Sequence, residues 1–241
     1  MRSRTLALAA ASGVALLCAV ALPATAQPAT ATAPAGRAAD PSGRTPAGPV
    51  GAAELLAKVQ TCAQISHGKY RTDPKAEATV PVCGKNGAVF WQADLDVDCD
   101  GRATAACNKA TDPWFQPDTR FHQSNDKPLD AEKVSYVVVP NASPLWNYSA
   151  SGIKGGGVAA VVYGNRVEYA VVGDTGPKSV IGEASYATAK ALGMDPSPKT
   201  GGAESGVTYI LFQNSRAEPI ESHEEAVTLG QDLARRFVAA N

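Results

Sequence analysis

Between Val89 and Asp100 the chain alternates with a period of two. The odd positions are Val89, Trp91, Ala93, Leu95, Val97 and Cys99, and the even ones run Phe90, Gln92, Asp94, Asp96, Asp98 and Asp100. Successive side chains of an extended strand point to opposite faces, so one face of this segment enters a core and the other is acidic. Further β-rich runs follow at Tyr136 to Val139, ending at Pro140, and at Val158 to Tyr163, Val167 to Val172 and Val207 to Phe212. Gly164-Asn165 separates the middle pair at two-residue hairpin spacing, and both residues tolerate positive φ.

Helical spacing is confined to three places. Leu55, Leu56, Val59 and Cys62 predict a first helix over Ala52 to Ile65 that delivers Cys62 to the core. A second runs from Ser185 to Leu192 and stops at Gly193. A third begins at about His223, with Ser222 and Glu225 as a capping box and Ala226, Leu229, Leu233 and Phe237 on one face. The expected class is mainly β with peripheral helices (α+β), and no internal repeat is present.

The chain's beginning reads as an address. Arg2 and Arg4 precede an apolar run from Thr5 to Leu22, and Ala24-Thr25-Ala26 offers a small-residue cleavage site, so residues 1–26 are expected to be a secretory signal rather than a retained anchor. Residues 27–50 are nearly all Ala, Pro, Thr and Gly and form a leader too poor in apolar surface to fold. Residues 51–241 are then the folded domain, secreted and monomeric. No later apolar stretch approaches the roughly 20 residues of a membrane span. Losing Cys18 with the signal leaves Cys62, Cys83, Cys99 and Cys107, an even number in an oxidising compartment, hence two disulfides. Three pairings exist; Cys62 with Cys83 and Cys99 with Cys107 is preferred because each closes a short loop. Zinc is not expected, since there is no C-x-x-C and His67, His122 and His223 stand alone. A net charge of −1 with no basic run leaves no electrostatic footprint for nucleic acid.

Several motifs compete for the chemistry. Asp96 to Gly101 matches half a calcium loop, but the bidentate Glu that such a loop needs falls on Cys107. Gly155-x-Gly157-x-x-Ala160 has its strand after it rather than before it, which makes it a loop and not a dinucleotide site. No G-x-S-x-G occurs. The strongest local signal is Tyr169 to Pro177 followed by Val180 to Ser185. There a buried strand presents Asp174 in a tight turn at its tip, and Glu183 follows nine positions later near a helix start. Two carboxylates on rigid elements suit glycoside hydrolysis. The competing structural reading has Asp174 tying its turn and Glu183 favouring the helix N-terminus. Asp174-Thr175-Gly176 also spells the aspartic protease triplet, but one copy supplies one Asp, and only a symmetric dimer sharing a site works that way.

Taken in order, Asp94 to Gly101, Tyr136 to Pro140, Val158 to Tyr163, Gly173 to Pro177 and Ile181 to Ser185 resemble family 75 of the glycoside hydrolases, the fungal-type endo-chitosanases. The resemblance covers about Ala52 to Phe212. It implies endo-hydrolysis of β-1,4-linked glucosamine polymer with inversion, without metal or organic cofactor, and its two essential carboxylates fall on Asp174 and Glu183. Chitosan is a polycation near and below neutral pH, so Asp94, Asp96, Asp98 and Asp100, with Thr175 beside Asp174, are expected on the substrate side. The Asp-Thr-Gly turn also looks like that of double-psi β-barrels, which implies a barrel. Two alternatives stay open: a non-catalytic wall-binding module of the expansin or barwin type, and a peptidoglycan or cellulose hydrolase on a similar barrel. Apolar Val180, Ile181 and Ala184 favour Glu183 as general acid, and backbone donors around Asp174 favour it as general base. A helix N-terminus at Glu183 pulls the other way, which leaves the roles exchangeable.

Overall fold

Six strands close into a barrel. The computed structural model describes residues 48–241, so the expected signal and nearly all of the leader lie outside the described residues. In chain order the elements are α1 (Ala52–Lys58), β1 (Ala63–Gln64), β2 (Cys83–Lys85), β3 (Ala88–Asp98), β4 (Tyr136–Pro140), β5 (Val158–Tyr163), β6 (Arg166–Gly176), β7 (Glu183–Ser185), α2 (Tyr186–Ala191), β8 (Ala203–Phe212) and α3 (His223–Ala240). The ring order is β3-β7-β4-β6-β5-β8, and β8 pairs back onto β3 to close it. Two of its pairings, β3 with β7 and β4 with β6, are parallel. The expected barrel with peripheral helices is the fold observed.

The odd positions of β3 do enter a core. Val89, Trp91, Ala93, Leu95 and Val97 meet Val137, Val161, Val172, Tyr209 and Leu211 of the other barrel strands. Trp91 stacks on Tyr209 with ring centroids 5.3 Å apart. The even face differs from expectation: Ala88 and Phe90 join a second apolar cluster with Leu55 of α1 and Phe237 of α3. The acidic character begins only beyond Gln92, because two helices cover the strand's first half and leave its second half open.

Helix α1 is also shorter than the apolar spacing predicts. It ends at Lys58, and Cys62 is exposed rather than carried into the core. β-branched Val59 and Thr61 weaken the helix there. The disulfide to Cys83 and the pairing of Ala63 and Gln64 with Gly84 and Cys83 then draw the chain into β1. The other disulfide joins Cys99 to Cys107, so both local pairings are as expected. The Gly164-Asn165 hairpin joins β5 to β6 with Tyr163 opposite Arg166. Of the α3 capping box only half is present: Ser222 Oγ accepts the Glu225 N–H, while the Ser222 N–H goes to the Pro219 carbonyl.

One irregularity positions the chemistry. Strand β6 runs through Asp174-Thr175-Gly176 instead of turning before it. Against β4 the partners are Tyr136 with Val171 and Val137 with Val172, and then Val138 with Asp174, so Gly173 is an extra residue. A one-residue slip moves a side chain to the opposite face of a sheet. Without the bulge Asp174 would share the face of Val139, which lies in the barrel interior. With it, Asp174 shares the face of Val138, outside the barrel. Gly173 is required because a Cβ there would lie 2.5 Å from the Tyr136 Cβ and 2.7 Å from the Leu129 Cδ1. Gly173→Ala is therefore expected to cost about 2 kcal/mol in urea unfolding, as overpacked cores do, and to lower activity by displacing Asp174. An unchanged midpoint would show that the bulge tolerates a side chain.

Candidate active site

The bulge turns Asp174 into a cleft of about 500 Å³ whose walls include Asp96, Asp98, Asp100, Asp112, Asp174 and Glu183, with Thr175 and Trp114. Strand β3 supplies Asp96 and Asp98, its continuation Asp100, β6 supplies Asp174 and Thr175, and β7 supplies Glu183. The parallel pairing of β3 and β7 sets Asp96 beside Glu183 and Asp98 beside Ser185. From the other side the end of β6 reaches the same place: a Cβ on Gly176 would stand 2.5 Å from Glu183 Oε2. Carboxylate oxygens of Asp98, Asp100 and Asp174 all lie within 4.8 Å of one another. Residues distant in sequence thus meet where the two parallel pairs adjoin.

Asp94 does not line this cleft. It is buried at 6% exposure, and a Cβ on Gly182 would collide with its Oδ1 at 1.9 Å. Gly182 has φ of 118°, a conformation that favours glycine, and its carbonyl accepts the Asp96 N–H at 2.8 Å. Asp94 therefore lies beneath the residue that precedes Glu183. Asp94 is thus not brought to the cleft with Asp96, Asp98 and Asp100, because it is buried; the pairing irregularity beside it puts the extra residues on β8, whose partners step from Val207 to Ala203 while β3 advances from Ala93 to Leu95. Asp112 and Trp114 are cleft residues that sequence reasoning did not single out. Both come from a loop whose spacing carries no period.

Burial governs the electrostatics. It pushes the Glu183 carboxyl up to about 7, with the charges of Asp96, Asp100 and Asp174 adding to the effect. Asp98 is driven well above the carboxylate range by burial and then by Asp100, Glu183 and Asp174, and Asp100 rises to about 6. Asp174 is also raised by burial, but two backbone N–H groups, from Arg120 and Thr175, oppose the rise; each is 2.7 Å from its Oδ1. Among the described residues no donor reaches the Glu183 carboxyl and no Lys or Arg forms an ion pair with any cleft carboxylate. Lys199, on the cleft wall, turns its Nζ to the Ala110 carbonyl.

Glu183 lies in β7, two residues before Ser185, the N-cap of α2. Ser185 Oγ accepts the Thr188 and Tyr136 N–H groups and donates to the Val134 carbonyl, which ties the helix start to β4.

The raised carboxyls make stability depend on pH with a definite sign. Glu183 and Asp94 keep their protons to about 7 in the folded chain, and Asp100 to about 6, against ordinary values of 4.5 and 3.8. The folded state binds more protons across that interval, so this contribution is complete below the ordinary values and is lost as pH rises through 7. The melting temperature is expected to fall from pH 5 to pH 8, and Glu183→Gln to flatten that slope. A melting temperature that rises over the same range would contradict the assignment.

Comparison with known proteins gives the family. Residues 95–236 match the family described as fungal chitosanase of glycosyl hydrolase group 75. An endo-chitosanase of Aspergillus oryzae (strain ATCC 42149 / RIB 40) is 33% identical over 176 residues, covering 64% of this chain and 70% of the relative. An endo-chitosanase of Aspergillus fumigatus is 32% identical over 148 residues, covering 56% of this chain and 58% of the relative. The matched span contains β4 through β8 and every carboxylate of the cleft, and on that basis the chain belongs to the fungal chitosanase family of glycosyl hydrolase group 75.

Proposed function

We propose that this chain is a secreted endo-chitosanase that hydrolyses internal β-1,4 bonds between glucosamine units with inversion. The observation that carries the reading is a carboxyl held protonated to about 7, Glu183, in one cleft with a carboxylate, Asp174, that accepts two backbone N–H bonds. A protonated carboxyl donates to the leaving glycosidic oxygen, and an ionised one deprotonates the attacking water. Glu183 is assigned as the general acid. Among the described residues no hydrogen-bond donor or ion-paired cation stabilises its charged form, burial favours the neutral form, and its neighbours Asp96, Asp100 and Asp174 add to that. Asp174 is assigned as the general base, because the N–H groups of Arg120 and Thr175 fix the oxygen they bind and favour ionisation. An inverting site leaves room for water, with carboxyl groups roughly 6.5 to 9.5 Å apart.

The uncompensated negative charge supports chitosan as the substrate. Asp100, Glu183 and Asp174 act on Asp98, and Asp96, Asp100 and Asp174 act on Glu183, so the cleft carboxylates repel one another in the free protein, and each ammonium that enters the cleft relieves part of that repulsion. Neutral cellulose offers no such gain. Two disulfides and the N-terminal address support export.

The purified domain is expected to lower the viscosity of highly deacetylated chitosan well before monomer appears, and to leave cellulose intact. Equal cleavage of cellulose, or monomer released from chain ends alone, contradicts the reading. Chitosan turnover should fall as pH rises through about 7, as Glu183 loses its proton. Glu183→Gln and Asp174→Asn should each reduce turnover by about 10² to 10⁴. With a substrate whose leaving group needs no protonation, Glu183→Gln should recover and Asp174→Asn should not. The opposite pattern exchanges the roles, and near-normal chitosan turnover by either variant removes that residue from the mechanism.

A further inference from the structure

Three tryptophans occur in the chain, and two of them are core residues: Trp91 is 1% exposed and Trp146 is 4% exposed. Trp114 is 85% exposed and lines the acidic cleft. An indole left in water forgoes the burial that usually places tryptophan in cores, so one held on the wall of a cleft is a candidate contact for a ligand.

The loop that carries it is fixed at several points. The Cys99–Cys107 disulfide closes its start. Asp112, itself buried, accepts the Trp114 N–H at 2.8 Å, and the Phe115 N–H goes to the Asp112 carbonyl at 3.3 Å. Phe115 anchors in the core beneath. Gln116 then returns the chain to the catalytic centre: its N–H donates to Asp100 Oδ1 at 2.6 Å, and its Nε2 donates to the Trp114 carbonyl at 2.9 Å. The backbone beside the indole is therefore hydrogen-bonded to Asp100, whose carboxylate lies within 4.8 Å of that of Asp174.

A polymer of glucosamine offers two surfaces to such a cleft. Its ammonium groups suit the carboxylates, but its rings also present flat C–H faces that a carboxylate does not bind. We propose that Trp114 is the stacking platform for one glucosamine ring on the wall of the cleft that holds Asp174 and Glu183. An indole face also attracts the ring's own ammonium. The inference rests on the chitosan reading above and adds to it a binding residue.

The test separates the two. In the Glu183→Gln background, titration with a fully deacetylated chitosan hexamer is followed by intrinsic tryptophan fluorescence. The emission is expected to shift on binding, and the shift should vanish when Trp114→Ala is added, since Trp91 and Trp146 are buried. In the otherwise wild-type chain, Trp114→Ala should raise KM for chitosan about tenfold with kcat changed by no more than about twofold, as removal of binding shared by ground and transition states requires. Trp114→Phe should restore most of the loss. An unchanged KM in Trp114→Ala, or a fluorescence shift that survives its removal, overturns the platform while leaving the chitosanase reading intact. A Trp114-dependent shift in a protein whose wild type does not cut chitosan keeps the platform and overturns the hydrolytic reading.

Discussion

Six carboxylates share one cleft with no ion-paired cation among the described residues, and the rest of the site depends on how the fold sustains that repulsion. Aspartates on adjacent elements cannot all ionise cheaply once water is thinned around them. Part of the cost is avoided by keeping protons, as at Glu183, and part by backbone N–H donors, as at Asp174. The frame must then be stiff enough that the groups do not separate. Here the stiffness comes from strand pairing on both sides: Glu183 is bound in register to Asp96, and Asp174 is bound to Val138.

The closed barrel supplies that stiffness and the bulge at Gly173 supplies the aim. A strand of uniform register would leave Asp174 inside with Val139 and Val172, where a carboxylate has no role and a high cost. One extra residue, with no side chain because Tyr136 and Leu129 occupy the space, moves Asp174 out to the cleft. Gly182 does comparable work just before β7, where its positive φ lets the chain pass over Asp94 and enter the pairing that holds Glu183.

Much of this was legible in the sequence, and the illegible parts share a cause. The period-two run identifies β3, the other β-rich runs identify β4, β5, β6 and β8, the two-residue hairpin is marked by Gly164-Asn165, and the Ser222 half of the α3 capping box is in place, because these signals are local. The DTG triplet and Glu183 likewise stand out as two carboxylates on rigid elements. Long-range pairing is another matter. That β6 continues through Asp174 and that Glu183 belongs to a strand and not to a helix start are decided by pairing with strands far away in the chain, Asp174 with Val138 and Glu183 with Asp96. The end of α1 is likewise set by pairing outside the helix, since Cys83, 21 residues from Cys62, and Gly84 draw the chain out of it. Trp114 had no signal at all, because an aromatic in an aperiodic loop reads the same whether it is buried or bared.

Burial first and the crowding of like charge second raise the proton affinity of Glu183, and under the proposed reading the same crowding draws the ammonium groups of a cationic substrate to the cleft. The central claim is the proton on Glu183, and carbon-detected NMR titration of the glutamate carboxyls, assigned with Glu183→Gln, measures it directly. The account predicts one glutamate with a midpoint near 7 that disappears in the variant. A Glu183 midpoint at the ordinary value of 4.5 would contradict it.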